Sequence, residues 1–376
     1  MKKEKILYVT SLSGKRINSF MRSAIVASKN AGFDFTIVSN ESNADKNLFE
    51  KDCKDYGINH ASIPFERQPL SLKNLKAYHE LKKYLKKNDF SLVHCNTPIG
   101  GALTRICAHK IHQKNIIYQA HGFHFYKGGN VLSWLIFFPI EKWLSHWTDT
   151  LITINKEDTE LAKRHMKAKR TAYVPGVGID VRRFAKGQPF EDKKKLLGLK
   201  QNDFLIISVG EMDKNKNQIA IMKAMIKLNN PNIYYAIIGQ GILEKKLRKY
   251  ALKKHISSNV FFPGFQSDTY SWYQSADLFI LPSYREGLPS ALMEAMASSL
   301  PVIASDIRGV RDLIDPQGGA LVSPNDPSKF ANAIAIRFSD LALRKKEGDH
   351  NACRVVDFSF EKSVEALENI YKTQIH

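Results

Sequence analysis

Leu278-Phe279-Ile280-Leu281-Pro282-Ser283-Tyr284-Arg285-Glu286-Gly287-Leu288-Pro289-Ser290-Ala291-Leu292-Met293-Glu294 reads as a strand, a loop and the start of a helix. Four apolar residues bounded by Pro282 predict a buried strand that enters a loop. Pro289 lacks the amide hydrogen that would be unpaired in a first helical turn, so it suits the first helical position. Residues 290–299, rich in Ala, Leu and Met, continue as helix. Glu286 then sits in the loop and Glu294 on the helix.

The same strand-then-helix pattern recurs along the chain. Apolar runs fall at residues 6–9, 35–38, 92–95, 116–118 and 151–154, and again at 205–209, 235–238, 260–262, 278–281 and 302–304, with helix-like segments between them. Such alternation predicts parallel sheets covered on both faces, and two series predict two Rossmann-like α/β domains. The turn Val174-Pro175-Gly176-Val177-Gly178 ends the first series, which places an N-terminal domain at 1–175 and a second one from 176. Open parallel sheets bind ligands at the C-terminal ends of their strands, so a cleft between two such domains is the expected site.

Composition narrows the class. At 376 residues, with 43% hydrophobic and 25% charged content, the chain is globular and long enough for two domains. No run approaches the roughly 20 apolar residues of a membrane span, and residues 6–9 are too short an apolar core for a secretory signal. Cys53, Cys95, Cys107 and Cys353 are far apart, which suggests neither a zinc site nor a disulfide framework and points to a reducing cytoplasm. The net charge of +19 is uneven, with +12 in residues 1–180 and +7 in residues 181–376. Basic clusters at 81–87 and 163–170 suit an anionic membrane surface or nucleic acid, or are simply solvated helix faces.

Several predicted strand ends carry candidate groups. A helix start beyond a Gly-containing turn offers unpaired amides and partial positive charge, suited to a diphosphate, while Glu286 and Glu294 are acceptors suited to hydroxyls. That combination is what a nucleotide-sugar demands. Ser11-Leu12-Ser13-Gly14-Lys15-Arg16 follows the first strand, with Gly14 freeing amides for a phosphate or an acceptor. Gln119-Ala120-His121-Gly122-Phe123-His124 puts His121 at a strand end, where it is a site candidate. Val209-Gly210-Glu211-Met212-Asp213-Lys214-Asn215-Lys216-Asn217 supplies a Gly turn and two cations, and a lysine there can neutralise a leaving diphosphate. Pro263-Gly264-Phe265-Gln266 is a further Gly turn after a strand.

Taken together these residues resemble the retaining glycosyltransferases of the two-Rossmann-domain (GT-B) type, specifically glycosyltransferase family 4. The likeness runs through nearly the whole chain: Val-Gly-x5-Lys-Asn at 209–217, the Gly264 turn, the Glu286/Glu294 pair, and Pro301-Val302-Ile303-Ala304-Ser305-Asp306. In the first half, the segments at 94–101, 120–128 and 139–145 resemble the bacterial exopolysaccharide and capsule branch. The resemblance implies that Glu286 meets donor-sugar hydroxyls and Glu294 the ribose. It assigns the amides at Gly287 and Leu288 to sugar or diphosphate, with the helix start at Ser290, and Lys216 to the diphosphate. It makes His121 a partner of the sugar near the reacting carbon and turns Gly264-Phe265 toward the base. It also implies that a C-terminal segment, 358–376, forms a helix crossing back onto the first domain, leaving 176–357 as the donor domain. One departure stands out: many relatives carry Arg where this chain has Glu211, and the single Gly14 replaces a Gly-Gly loop.

No Asp-x-Asp pair occurs, and with the resemblance this predicts transfer without a metal or other cofactor, the UDP-sugar being a co-substrate. The expected partners are a UDP-sugar, a membrane-embedded lipid-linked saccharide acceptor and an anionic membrane surface, with no nucleic acid. The chain is then expected in the cytoplasm, peripheral on the inner face of the plasma membrane. Trp134, Phe137, Phe138, Trp143 and Trp147 read either as a membrane wedge or as the buried side of an amphipathic helix. The rival functions are a UDP-sugar epimerase of the same fold and a nucleic-acid-binding protein.

Overall fold

The computed structural model describes residues 3–375 and divides into two compact units, residues 1–178 with 360–376, and residues 179–359. The first unit contains β1 (Lys5–Leu12), β2 (Asp34–Asn40), β3 (Asn59–Ser62), β4 (Leu92–Asn96), β5 (Ile116–Ala120), β6 (Thr150–Thr153) and β7 (Arg170–Tyr173). They form one sheet in the order β3-β2-β1-β4-β5-β6-β7, every pairing parallel. The second unit holds β8 (Phe204–Val209), β9 (Ile233–Ile238), β10 (Val260–Gly264), β11 (Leu278–Leu281), β12 (Val302–Ser305) and β13 (Gly319–Val322). Their order is β10-β9-β8-β11-β12-β13, again all parallel. Both are doubly wound Rossmann-like sheets, as the strand-helix alternation predicts.

The central strands are buried on both faces, which is why they read as continuous apolar runs: β4 and β11 have no exposed residue. Three strands lay outside the expected set. β3 (Asn-His-Ala-Ser) and β7 (Arg-Thr-Ala-Tyr) are polar edge strands, and β13 (Gly-Ala-Leu-Val) is a third edge; none has a fully buried face to mark it. β5 also runs on to Ala120, so Gln119 and Ala120 belong to the strand rather than to the loop after it.

The first sheet order reverses between β1 and β4 and the second between β8 and β11, so each unit has its own switch point at the C-terminal strand ends. The seam falls at 178/179 and 359/360, a few residues beyond the expected 175/176 and 357/358. The reason is local: Ile179 N donates to Phe358 O at 3.2 Å and Ile179 bridges to Ser359 in parallel, which ties both segments into the second unit. The final helix, Phe360–Ile375, belongs to the first unit. It packs along the helix Ser19–Asn30, and Tyr371 Oη lies 2.7 Å from His94 Nδ1 on β4.

Candidate functional site

In the second unit the loops after β8 and β11 lock together. Lys216 N donates to Asp213 Oδ1 at 2.8 Å, Tyr284 N donates to Asn215 O at 2.8 Å, and Asn215 Nδ2 donates to Arg285 O at 2.9 Å. Asn217, in the left-handed region at φ 52°, gives Nδ2 to both Pro282 O and Pro324 O. This lacing sets Lys216 Nζ 2.8 Å from Glu286 Oε1, with the two side chains 22% and 12% exposed. The sequence shows Asp213, Asn215 and Asn217 but not this work, because the partners of Asn215 and Asn217 lie 65, 70 and 107 positions away.

Lys216 has three donor hydrogens, so the carboxylate contact leaves it able to donate to a second anion. Past Glu286, Pro289 adopts extended backbone (φ −76°, ψ 115°) and the helix runs Ser290–Ala297, so Pro289 is the capping residue and not the first helical one. No side chain caps this helix start, which leaves its first amides for another acceptor. Among the described residues, the amides of Gly287 and Leu288 have no hydrogen-bond acceptor. Gly309 is required here: a Cβ on it would lie 1.9 Å from Gly287 O, so the loop after β12 presses directly on the turn. That loop also holds Arg308, a buried cation that the sequence reading did not single out.

Glu294, on the first turns of that helix, is held by Tyr273, whose hydroxyl lies 2.9 Å from Oε2. Burial pushes the Glu294 carboxyl upward, against the opposing pull of the Tyr273 hydrogen bond and of Arg183. The remaining donor-side candidates surround the same strand ends. Gly210 sits against Lys216, where a Cβ would be 3.3 Å from Cε, and Gly239, on the neighbouring strand end, can carry no Cβ because it would meet Gly210 O at 2.0 Å. Glu211 is exposed, and its carbonyl accepts from Gln218 Nε2 at 3.0 Å. Gly264 (φ 77°) ends β10, Phe265 is exposed, and Gln266 Oε1 accepts from Trp272 Nε1 at 3.4 Å.

His121 and Gly14 belong to the first unit, so the structure does not group them with Lys216 and Glu286. Gly14 follows β1 beside Ser13, whose Oγ lies 2.5 Å from Ser39 Oγ. His121 follows β5, and its Nε2 is 3.0 Å from Oδ1 of Asn96 at the end of the adjacent β4, with Phe20 edge-on at 4.6 Å. His121 Nδ1 and Asn96 Nδ2 are buried without partners. Burial holds the His121 pKa down at about 4, so the ring is neutral near pH 7. Asn96 is the residue that sequence reasoning missed, although it lies inside the quoted 94–101 segment. Next to it Thr97 takes φ 63°, with Oγ1 bonded to Ser11 N (3.1 Å) and Ser11 Oγ (2.7 Å). A cavity of about 220 Å³ opens there, bordered by Thr97, His121, Phe123, Phe137 and Glu141.

The helix Val131–Leu144 takes the buried of the two readings for most of its aromatic residues. Trp134, Phe137 and Phe138 pack inward on the core, and Trp147 stacks on His109. The exposed stripe is instead Val131, Leu132, Leu135, Ile136, Ile140 and Trp143. This helix is apolar on both sides, and no helix of the described residues is long and apolar enough to cross a membrane. Among the described residues no three His, Cys, Asp or Glu side chains converge as a metal-ligand set.

Two parallel Rossmann-like sheets, with a cation–carboxylate pair at the strand ends of the second, define the GT-B class of glycosyltransferase. Family models agree: residues 5–155 match the glycosyl transferase 4-like model and residues 189–350 the glycosyl transferases group 1 model. The chain belongs to this family. It is 36% identical to the glycosyltransferase EpsD of Bacillus subtilis (strain 168) over 318 residues, covering 82% of this chain and 84% of that one. It is 28% identical over 352 residues to the UDP-Gal:alpha-D-GlcNAc-diphosphoundecaprenol alpha-1,3-galactosyltransferase of Escherichia coli, covering 91% and 89%. Among solved structures it shares its fold with Anabaena HepE in complex with UDP, at a TM-score of 0.79 and 17% identity over 98% of this chain and 100% of that one.

Proposed function

We propose that this glycosyltransferase moves a hexose or N-acetylhexosamine, with retention and without a metal, from a UDP-sugar to a lipid-diphosphate-linked saccharide in bacterial exopolysaccharide or capsule assembly. The observation that carries the reading is the Lys216–Glu286 pair beside the open amides of Gly287 and Leu288. Diphosphate and sugar hydroxyls are the groups such a site satisfies together. The UDP held by HepE and the lipid-diphosphate acceptor in the name of the Escherichia coli relative support the two substrate classes.

In this reading Lys216 and the helix start at Ser290 stabilise the leaving diphosphate, Glu286 fixes the sugar through its hydroxyls and Glu294 grips the ribose. Gly210, Glu211, Gly264 and Phe265 border the nucleotide, while Gly14 and His121 serve from the first unit. The acceptor hydroxyl oxygen bonds to the anomeric carbon on the face that the diphosphate leaves. The anomeric carbon–oxygen bond to the diphosphate breaks with its electron pair, and the hydroxyl proton passes to the departing diphosphate oxygen. The exposed apolar stripe on Val131–Leu144, in the more basic half of the chain, supports docking on the inner face of an anionic membrane.

The test is to incubate the protein with a panel of UDP-sugars and an undecaprenyl-diphosphate-linked saccharide in excess chelator, then to read the product's anomeric configuration by NMR. An α-linked product from an α-donor at undiminished rate supports the reading. Inversion, strict manganese dependence, or conversion of the UDP-sugar without any acceptor would sink it, the last outcome identifying an epimerase. Co-sedimentation with phosphatidylglycerol vesicles that is lost at high salt tests the membrane part, and failure to bind at low salt removes it.

A further inference from the structure

The second unit carries a groove that borders the Lys216 loop through Asp213, Asn217 and Tyr284 but is lined by none of the residues proposed to touch the donor. Its volume is about 480 Å³ and its apolar surface comes from Ile219, Leu243, Leu247, Tyr250 and Tyr284. The lining carries four lysines against one carboxylate, Asp213: Lys214 on the loop after β8 and Lys246, Lys249 and Lys253 on the helix Glu244–Lys253. Among the described residues none of these four lysines is paired with a carboxylate. Gln218 also lines the groove and is 3% exposed; its Nε2 is spent on Glu211 O, and its Oε1 is buried with no partner.

The spacing of the lysines selects the ligand class. Lys246, Lys249 and Lys253 fall at i, i+3 and i+7 of one helix, so they share a face and spread their charge along about 10 Å. A single small anion cannot meet all three, a bilayer surface cannot enter a concave groove, and a nucleic-acid backbone would leave the apolar surface uncovered. We propose that the groove seats an acidic amphipathic helix of a partner protein. Two large apolar side chains one turn apart fill the floor, and carboxylates on the flanking positions face the three lysines. This is the helix-in-groove mode of recognition with charge complementarity at its edge. It rests on the groove alone and does not depend on the roles proposed for Lys216, Glu286 or His121.

The experiment titrates the full chain into a fluorescein-labelled Ala-rich helical peptide of about 16 residues. The peptide has Leu at two positions four apart and Glu at three flanking positions, and anisotropy is read in 0.15 M salt. Saturable binding is expected, weakened about tenfold or more by Lys246→Glu/Lys249→Glu and regained when the peptide's Glu residues are exchanged for Lys. Because these lysines are exposed, the variant keeps its fold, and recovery with the exchanged peptide verifies it. Replacing the two Leu by Ser should abolish binding. The proposal is overturned if wild type shows no saturable binding, if the double variant or the Ser peptide binds equally well, or if phosphatidylglycerol vesicles displace the peptide.

Discussion

Replacing Lys216 by Ala removes the cation from the 2.8 Å contact with Glu286 Oε1. At that distance two unit charges interact by about 6 kcal/mol at an effective dielectric of about 20. Side-chain exposures of 22% and 12% admit solvent screening, so the net coupling should be on the order of 1–3 kcal/mol. The lysine's effect on the reaction is separate. If it neutralises the diphosphate, its loss should raise the barrier by about 2–4 kcal/mol, as for removal of an oxyanion donor. That corresponds to roughly a 30- to 1,000-fold fall in kcat. The assay is single-turnover transfer from the preferred UDP-sugar, beside thermal unfolding of the same proteins. Lys216→Ala should lose both rate and a few degrees of Tm, because Glu286 is left without its cationic partner. Lys216→Ala/Glu286→Gln should regain most of the Tm without regaining kcat, and Lys216→Arg should retain part of the rate. A Lys216→Ala rate within about threefold of wild type would refute the catalytic role. So would recovery of kcat together with Tm in the double variant, since the lysine would then act only by holding Glu286.

Glu294→Ala should weaken UDP binding about 10- to 100-fold by calorimetry if the carboxylate grips ribose hydroxyls, as expected for a charged hydrogen bond of about 1.5–3 kcal/mol; unchanged affinity would remove that assignment. His121, with its pKa lowered by burial to about 4, stays neutral above that pH, so NMR should show no ring titration near 6.5 in the folded protein. The sign for stability follows. The unfolded ring binds more protons between its ordinary pKa and about 4, so this contribution is complete above the ordinary value and is lost as pH falls through that window. Asn96→Asp should raise the His121 pKa by placing a carboxylate at Nε2 and add an acidic limb to the rate profile, and an unmoved titration would show that Asn96 does not control the ring. Arg105 has no exposed side-chain surface, donates to Glu141 at 3.0 Å and lies 3.7 Å above the Tyr118 ring. Arg105→Ala should therefore destabilise the first unit by about 3–5 kcal/mol, most of it the cost of a Glu141 without its partner, and a Tm shift of under about 2 °C would contradict that.

Much of the fold is local information. β4, β5, β8, β9, β11 and β12 are buried along nearly their whole length, so each appears in the chain as a largely apolar run, and the helix-like spacers between them point to parallel sheets. The edge strands β3 and β7 carry no such mark because only the neighbour's hydrogen bonds make them strands. Of the candidate site, Glu286, Glu294 and Lys216 could be picked out because each comes after an apolar run and near a Gly turn. That Lys216 and Glu286 touch was not, since 70 residues and two separate loops bring them together.

The amino-acid sequence by itself determined the two parallel α/β domains, the family, and which strand ends carry the charged groups, because periodicity and turn chemistry act within a few residues. Only the tertiary structure decided the partners. It set Asn96 against His121 and Lys216 against Glu286, and it turned Val131, Leu132, Leu135, Ile136, Ile140 and Trp143 rather than Trp134, Phe137 and Phe138 to the surface. These are contacts between residues distant in the chain, and they depend on how packed elements face one another, which no local pattern encodes.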